Sequence, residues 1–207
     1  MCTILPSCAE VRSLTRRCLL MARDLSYATT EIKQKLATLA ARDPNYQIFG
    51  ARSHRYKLGP AIPEGRLSGI ERDYGVRLPE DYRHFLREIG SGGAGPYHGL
   101  FRLRGADAKD FTDPEDLTDC DTLGKPFPWT EKILRPRRPG IPGALYICHY
   151  GCALRFILVV TGKCRGEVWH DWQADRLGVY PAAGERGERL SFYDWYMQWL
   201  DSSLKKR

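Results

Sequence analysis

Cys148, Cys152, Cys164 and His170 are the residues best suited to metal chemistry in this chain. Three thiols and an imidazole are good zinc ligands. Their spacing argues against a zinc site: Cys-x3-Cys is acceptable, but the later pair is Cys-x5-His with only one cysteine. Buried cysteine also behaves as a small apolar residue. A thiol nucleophile needs a base beside it. Cys148 and His149 are adjacent in an extended stretch, so their side chains point to opposite faces. Cys152 meets His170 or His98 only if the fold brings them together, and nothing in the sequence orients such a pair. Glu167 and Asp171 lie four apart on a strand, on one face with Trp169. That permits a carboxylate pair, but ordinary strand surface explains them more simply. No catalytic constellation is assembled, so neither an enzyme nor a bound metal or cofactor is expected.

Residues 90–96, Gly-Ser-Gly-Gly-Ala-Gly-Pro, invite a nucleotide-binding reading. A phosphate-cradling loop follows a strand and opens a helix, so that the helix N-terminus meets the anion. Here the order is reversed, and no Gly-Lys-Ser/Thr follows. A tight helix-to-strand turn is the better reading. The preceding helix is well marked. Pro79 suits a first turn, Glu80 and Asp81 complement the dipole, and Tyr82, Phe85, Leu86 and Ile89 share one face. Gly90 is expected to end it in the left-handed conformation, and residues 97–103 to resume as a strand.

A third group is acidic. Asp107, Asp110, Asp113, Glu115, Asp116, Asp119 and Asp121 crowd one stretch, and five prolines follow by position 142. Residues 104–142 read as a long loop. A solvated loop is the plain interpretation. The sharper one is a charged rim that recognises a basic partner.

The elements that position these groups follow from periodicity. Ile32, Leu36, Leu39 and Ala40 mark a helix at 31–41, with Thr29 or Thr30 as cap, and residues 1–26 read as a weakly ordered extension. Residues 46–58 alternate loosely, as an extended segment does. Leu67, Ile70 and Tyr74 mark a short helix closed by Gly75. Residues 145–148 and 154–160 read as strands joined by a turn at 149–152. The second is apolar on both faces and therefore central. Val168, Trp169, His170 and Trp172 supply another strand. Ser191 caps a last helix, with Asp194 in the capping-box position. Phe192, Trp195, Tyr196, Trp199 and Leu200 form its inner face. The opposite face lacks the lysines of a membrane-surface helix. The expected fold is α+β: one domain over 27–207, with a central, mainly antiparallel sheet covered by several short helices.

Composition narrows the function. No apolar run of about 18 residues is present, so no membrane span is expected. Seven cysteines, an odd number, fit reduced thiols in the cytoplasm. Net charge is +7. It divides unevenly: eleven cations face five carboxylates in residues 1–69, nine face thirteen in 70–134, and twelve face seven in 135–207. The cations are scattered, which argues against nucleic-acid binding.

The ordered set of segments resembles the SUKH superfamily, which includes bacterial toxin-immunity proteins and a fungal cell-wall-synthesis regulator. The resemblance rests on the helix and turn at 78–103 (LPEDYRHFLREIGSGGAGPYHGLFRL), preceded by FGARSHRYKLGP at 49–60. It continues through ALYICHYGCALRFILVVTG at 144–162, GEVWHDW at 166–172 and FYDWYMQWL at 192–200. It implies a non-catalytic, cytoplasmic protein-binding domain, in which the strand carrying Trp169 and Asp171 is partly exposed to a partner. The leading expectation is an immunity protein that neutralises a cognate toxin. The alternatives are a regulatory scaffold and, less favoured, a thiol or zinc enzyme.

Overall fold

Periodicity becomes packing most directly in the helix after Pro79. The computed structural model describes residues 8–103, 116, 118–128 and 140–205, with side chains of the first helix from Leu25 onward. In chain order these form helices α1 (Cys8–Arg42), α2 (Ala51–His54), α3 (Glu64–Asp73) and α4 (Glu80–Glu88), strands β1 (Ala144–Gly151), β2 (Leu154–Val159), β3 (Val168–Trp172) and β4 (Gly178–Pro181), and helix α5 (Phe192–Lys205). The strands make one antiparallel meander, β1-β2-β3-β4. The chain is a single α+β domain.

Tyr82, Phe85, Leu86 and Ile89 are all buried, as their spacing predicts. Phe85 meets Phe192 and Tyr196 of α5 at ring distances of 5.0 and 4.9 Å. Asp81 ties the two helices together at their starts. Its Oδ2 accepts the Tyr193 N–H at 3.1 Å, and its Oδ1 accepts that of Tyr82 at 2.8 Å. Ser191 and Asp194 form the expected box: the Asp194 N–H donates to Ser191 Oγ, and the Ser191 N–H to Asp194 Oδ2. Leu67 and Ile70 of α3 are buried, and Gly75 follows with φ +62°.

Burial divides into two layers. One sheet face carries Leu145, Cys148, Phe156, Leu158 and Val168, in one core with α4 and α5, on which the inner face of α1 packs in turn. The other carries Tyr146, Ile157, Val159, Trp169 and Val179, covered by Phe101, Phe127 and Ile141. Apolar residues on both faces of β2 accord with its interior place in the sheet.

Several expectations are corrected. Helix α1 begins at Cys8 rather than near residue 31, so Thr29 and Thr30 lie inside it. Their hydroxyls donate to the carbonyls of Leu25 and Ser26, four residues back, instead of capping. Residues 46–58 hold the short helix α2, not an extended segment. Gly90 does not turn left-handed. It is needed because a Cβ there would stand 2.5 Å from the Gly59 carbonyl oxygen. Residues 97–103 form no continuous strand. They lie beside β1 through the single bridge Leu100↔Cys148 and the bonds His98 N–H to His149 O and Phe101 N–H to Ile147 O. The β1–β2 turn is Cys152-Ala153, two to three residues later than expected, so His149 and Tyr150 stay in the strand.

Candidate partner-binding surface

Phe49 is 58% exposed and Leu177 56% exposed, which is unusual for large apolar side chains in this fold. Both stand at one end of the sheet. The meander places its β1–β2 and β3–β4 hairpins at that end. Phe49 lies against the first: a Cβ on Gly151 would come 3.9 Å from its Cζ. Leu177 closes the second through its N–H to the Trp172 carbonyl.

Half-buried rings fill the space between. Phe49 lies 5.4 Å from His98 and 6.1 Å from Tyr150. Tyr97 packs on Tyr150 at 4.3 Å, and Tyr150 on Trp172 at 5.4 Å. His170 lies 4.6 Å from Tyr180 and 5.0 Å from Trp172. Beneath them sits Phe156, 2% exposed, stacked on Tyr97 at 5.4 Å and backed by Trp195 of α5 at 5.2 Å.

The backbone builds this cluster from constrained turns. Gly50, at φ +82°, presses so closely on residue 97 that a Cβ would lie 1.9 Å from the Tyr97 carbonyl oxygen. Only glycine permits that approach. Tyr97 itself has φ +54°. Ser53 Oγ and His98 Nδ1 are hydrogen-bonded at 3.0 Å, fastening α2 to the cluster. Cys152 and Ala153 have φ +51° and +62°, the signature of a type I′ hairpin turn, without the usual glycine.

Burial keeps two of the rings uncharged at neutral pH. Burial lowers the His170 imidazole to about 4. Burial also raises the Tyr97 phenol to about 12, helped by nearby Tyr150 and Cys148. Nδ1 of His170 and Nε1 of Trp172 are buried without a hydrogen-bond partner among the described residues. Rings with polar tips on a rigid support suit a protein contact, where Tyr and Trp concentrate the energy.

The thiols are placed otherwise. Cys148 is fully buried, its thiol donates to the Pro96 carbonyl at 3.1 Å, and burial pushes its pKa well up. That environment suppresses the thiolate a nucleophile needs. Cys148 and Cys164 belong to opposite sheet faces, while Cys152 is exposed in its turn. Among the described residues no group of three His, Cys, Asp or Glu side chains is arranged to hold a metal.

The residues expected to bind a partner are distributed differently. Asp107, Asp110, Asp113 and Glu115 lie outside the described residues. Asp116, Asp119 and Asp121 are described. Asp116 Oδ1 accepts the Thr118 N–H, and Asp119 accepts the Asp121 N–H and the Thr122 hydroxyl. Asp121 is exposed. This segment is fastened to the sheet: the Tyr146 N–H donates to Thr118 Oγ1, and Leu123 and Phe127 are buried. Trp169 and Asp171 require correction. Trp169 is 0% exposed, 5.0 Å from Phe127, and its Nε1 donates to Glu167. Asp171 is 4% exposed and accepts the Tyr146 hydroxyl at 2.7 Å. The 118–128 return covers their face, so neither offers a surface. Sequence reasoning missed the ring cluster. Its signal was a repeated pairing of His with a nearby ring: Tyr97-His98, His149-Tyr150 and His170 two residues before Trp172.

The sequence profile of the SMI1 / KNR4 family (SUKH-1) matches residues 61–195. No curated protein and no solved structure matched the chain.

Proposed function

Because the chain belongs to the SMI1 / KNR4 (SUKH-1) family, we propose that it works by binding another protein, as a cytoplasmic immunity protein that occludes a cognate toxin. The observation that carries this reading is the hairpin-end surface. Exposed Phe49 and Leu177 flank half-buried Tyr, Trp and His rings on a rigid sheet. Interface centres are built this way, with large, stiff side chains that lose little freedom on docking. The buried, protonated Cys148 thiol adds support, because it removes the best-placed nucleophile from chemistry. No helix among the described residues is long and apolar enough to cross a membrane, which fits a docking role away from the bilayer.

The test is co-expression with the product of each neighbouring gene that proves toxic on its own. An immunity protein restores growth and co-purifies with the toxin. Unchanged killing, together with recovery of several unrelated partners, contradicts the proposal and favours a regulatory scaffold.

A further inference from the structure

We infer that the hairpin-end surface receives an acidic segment of a partner protein, an apolar side chain seating among the rings and carboxylates meeting Arg52, Arg55 and Lys57. This rests on the protein-binding reading and names the chemistry of the partner at that same site. Residues 44–63 carry those three cations and no carboxylate. All three are exposed, and none has a salt bridge among the described residues. Elsewhere Lys35 is matched by Glu31 and Asp201, and Arg83 by Glu64 and Glu71. The cationic segment is part of the surface, because Phe49 opens it and Ser53 binds His98 within it. At the second hairpin Asp175 and Arg176 cancel in formal charge, so the positive excess of the surface comes from residues 52–57.

Complementary charge around an apolar centre steers association and rejects like-charged partners. The sign is opposite to that implied by the carboxylates at 107–121, and it excludes a basic nucleic-acid-cleaving partner at this surface. Nucleic acid itself fits less well. Stacking needs open ring faces. Here one face of Tyr97 is covered by Phe156, stacked on it at 7°, and Phe49, Tyr97, Tyr150 and Trp172 meet one another tilted or edge-on, at interplanar angles of 47–70°.

The experiment is an NMR titration of the full chain with three probes. These are a short synthetic peptide of Glu and Asp around a Leu-Phe pair, the same peptide with Lys in place of each acid, and an oligothymidylate. The acidic peptide is expected to shift resonances of Phe49, Arg52, Arg55, Tyr150 and Trp172, more weakly as salt rises. Arg52→Glu with Arg55→Glu should weaken it about tenfold, whereas Lys163→Glu, in the β2–β3 turn at the other end of the sheet, should leave it unchanged. Absence of shifts at this surface, or equal weakening by Lys163→Glu, overturns the inference. Equal binding of the Lys peptide also overturns it but leaves protein binding intact. Tighter binding of the oligothymidylate overturns both.

Discussion

Asp43 and Tyr56 show how single residues hold the segment that carries Phe49. Asp43 is 7% exposed and accepts the Tyr56 hydroxyl together with the N–H groups of Gln47 and Ile48. Burial alone would raise its pKa, but the three hydrogen bonds outweigh that and hold the carboxyl below its ordinary value. Removing one donor leaves a buried charge under-satisfied. Tyr56→Phe is expected to cost about 1–3 kcal/mol in urea unfolding at neutral pH. The loss should shrink as the carboxyl protonates below its unfolded value of 3.8. An unchanged midpoint would mean that Gln47 and Ile48 suffice. At this scale much was hidden in the sequence. Phe49 reads as one more apolar residue, and its exposure follows from Gly50 lying against the Tyr97 carbonyl, a contact between segments 47 residues apart in number.

Two elements carry sharp predictions. The β1–β2 turn forces Cys152 and Ala153 to positive φ, which costs a non-glycine residue about 1 kcal/mol. Ala153→Gly relieves that cost and adds chain freedom to the unfolded state, for an expected net gain of about 0.5 kcal/mol. A thermal midpoint that falls would contradict the turn assignment. At α5, Ser191→Ala removes Oγ as acceptor for the Asp194 N–H, an expected loss of about 1 kcal/mol by chemical denaturation. Helices α3, α4 and α5 and strands β2 and β3 were legible because each buries a face set by its own spacing. Strand β4 was not, since its four residues include Gly178 and Pro181 and show no alternation. The second core layer was also hidden: residues 118–128 look like loop, yet Leu123 and Phe127 insert from it.

For the whole molecule, histidine burial sets the acid limit. Burial lowers His54 and His170 to about 4, with His98 adding repulsion at His54. Between their ordinary value of 6.5 and about 4, the unfolded chain binds protons that the folded chain does not. Stability is therefore complete above pH 6.5 and falls as pH drops toward 4. At pH 5 the loss should reach about 2 kcal/mol per fully buried ring, less for half-buried His170. Asp81, raised by burial, has the opposite slope at lower pH. Urea midpoints from pH 7.5 to 5 check this, and a flat profile would refute it. The overall fold was readable because local patterns and the family resemblance agree. The hairpin-end ring cluster was not, because it is assembled from five separate chain segments that only the sheet brings together.

The most direct measurement of the central claim is growth rescue by the Phe49→Ala, Leu177→Ala double variant, co-expressed with a toxic product of a neighbouring gene. Both side chains are exposed, so soluble level and unfolding midpoint should match the unaltered protein. The account predicts rescue by the unaltered chain and loss of rescue by the variant. Equal protection by both would contradict docking through the hairpin end.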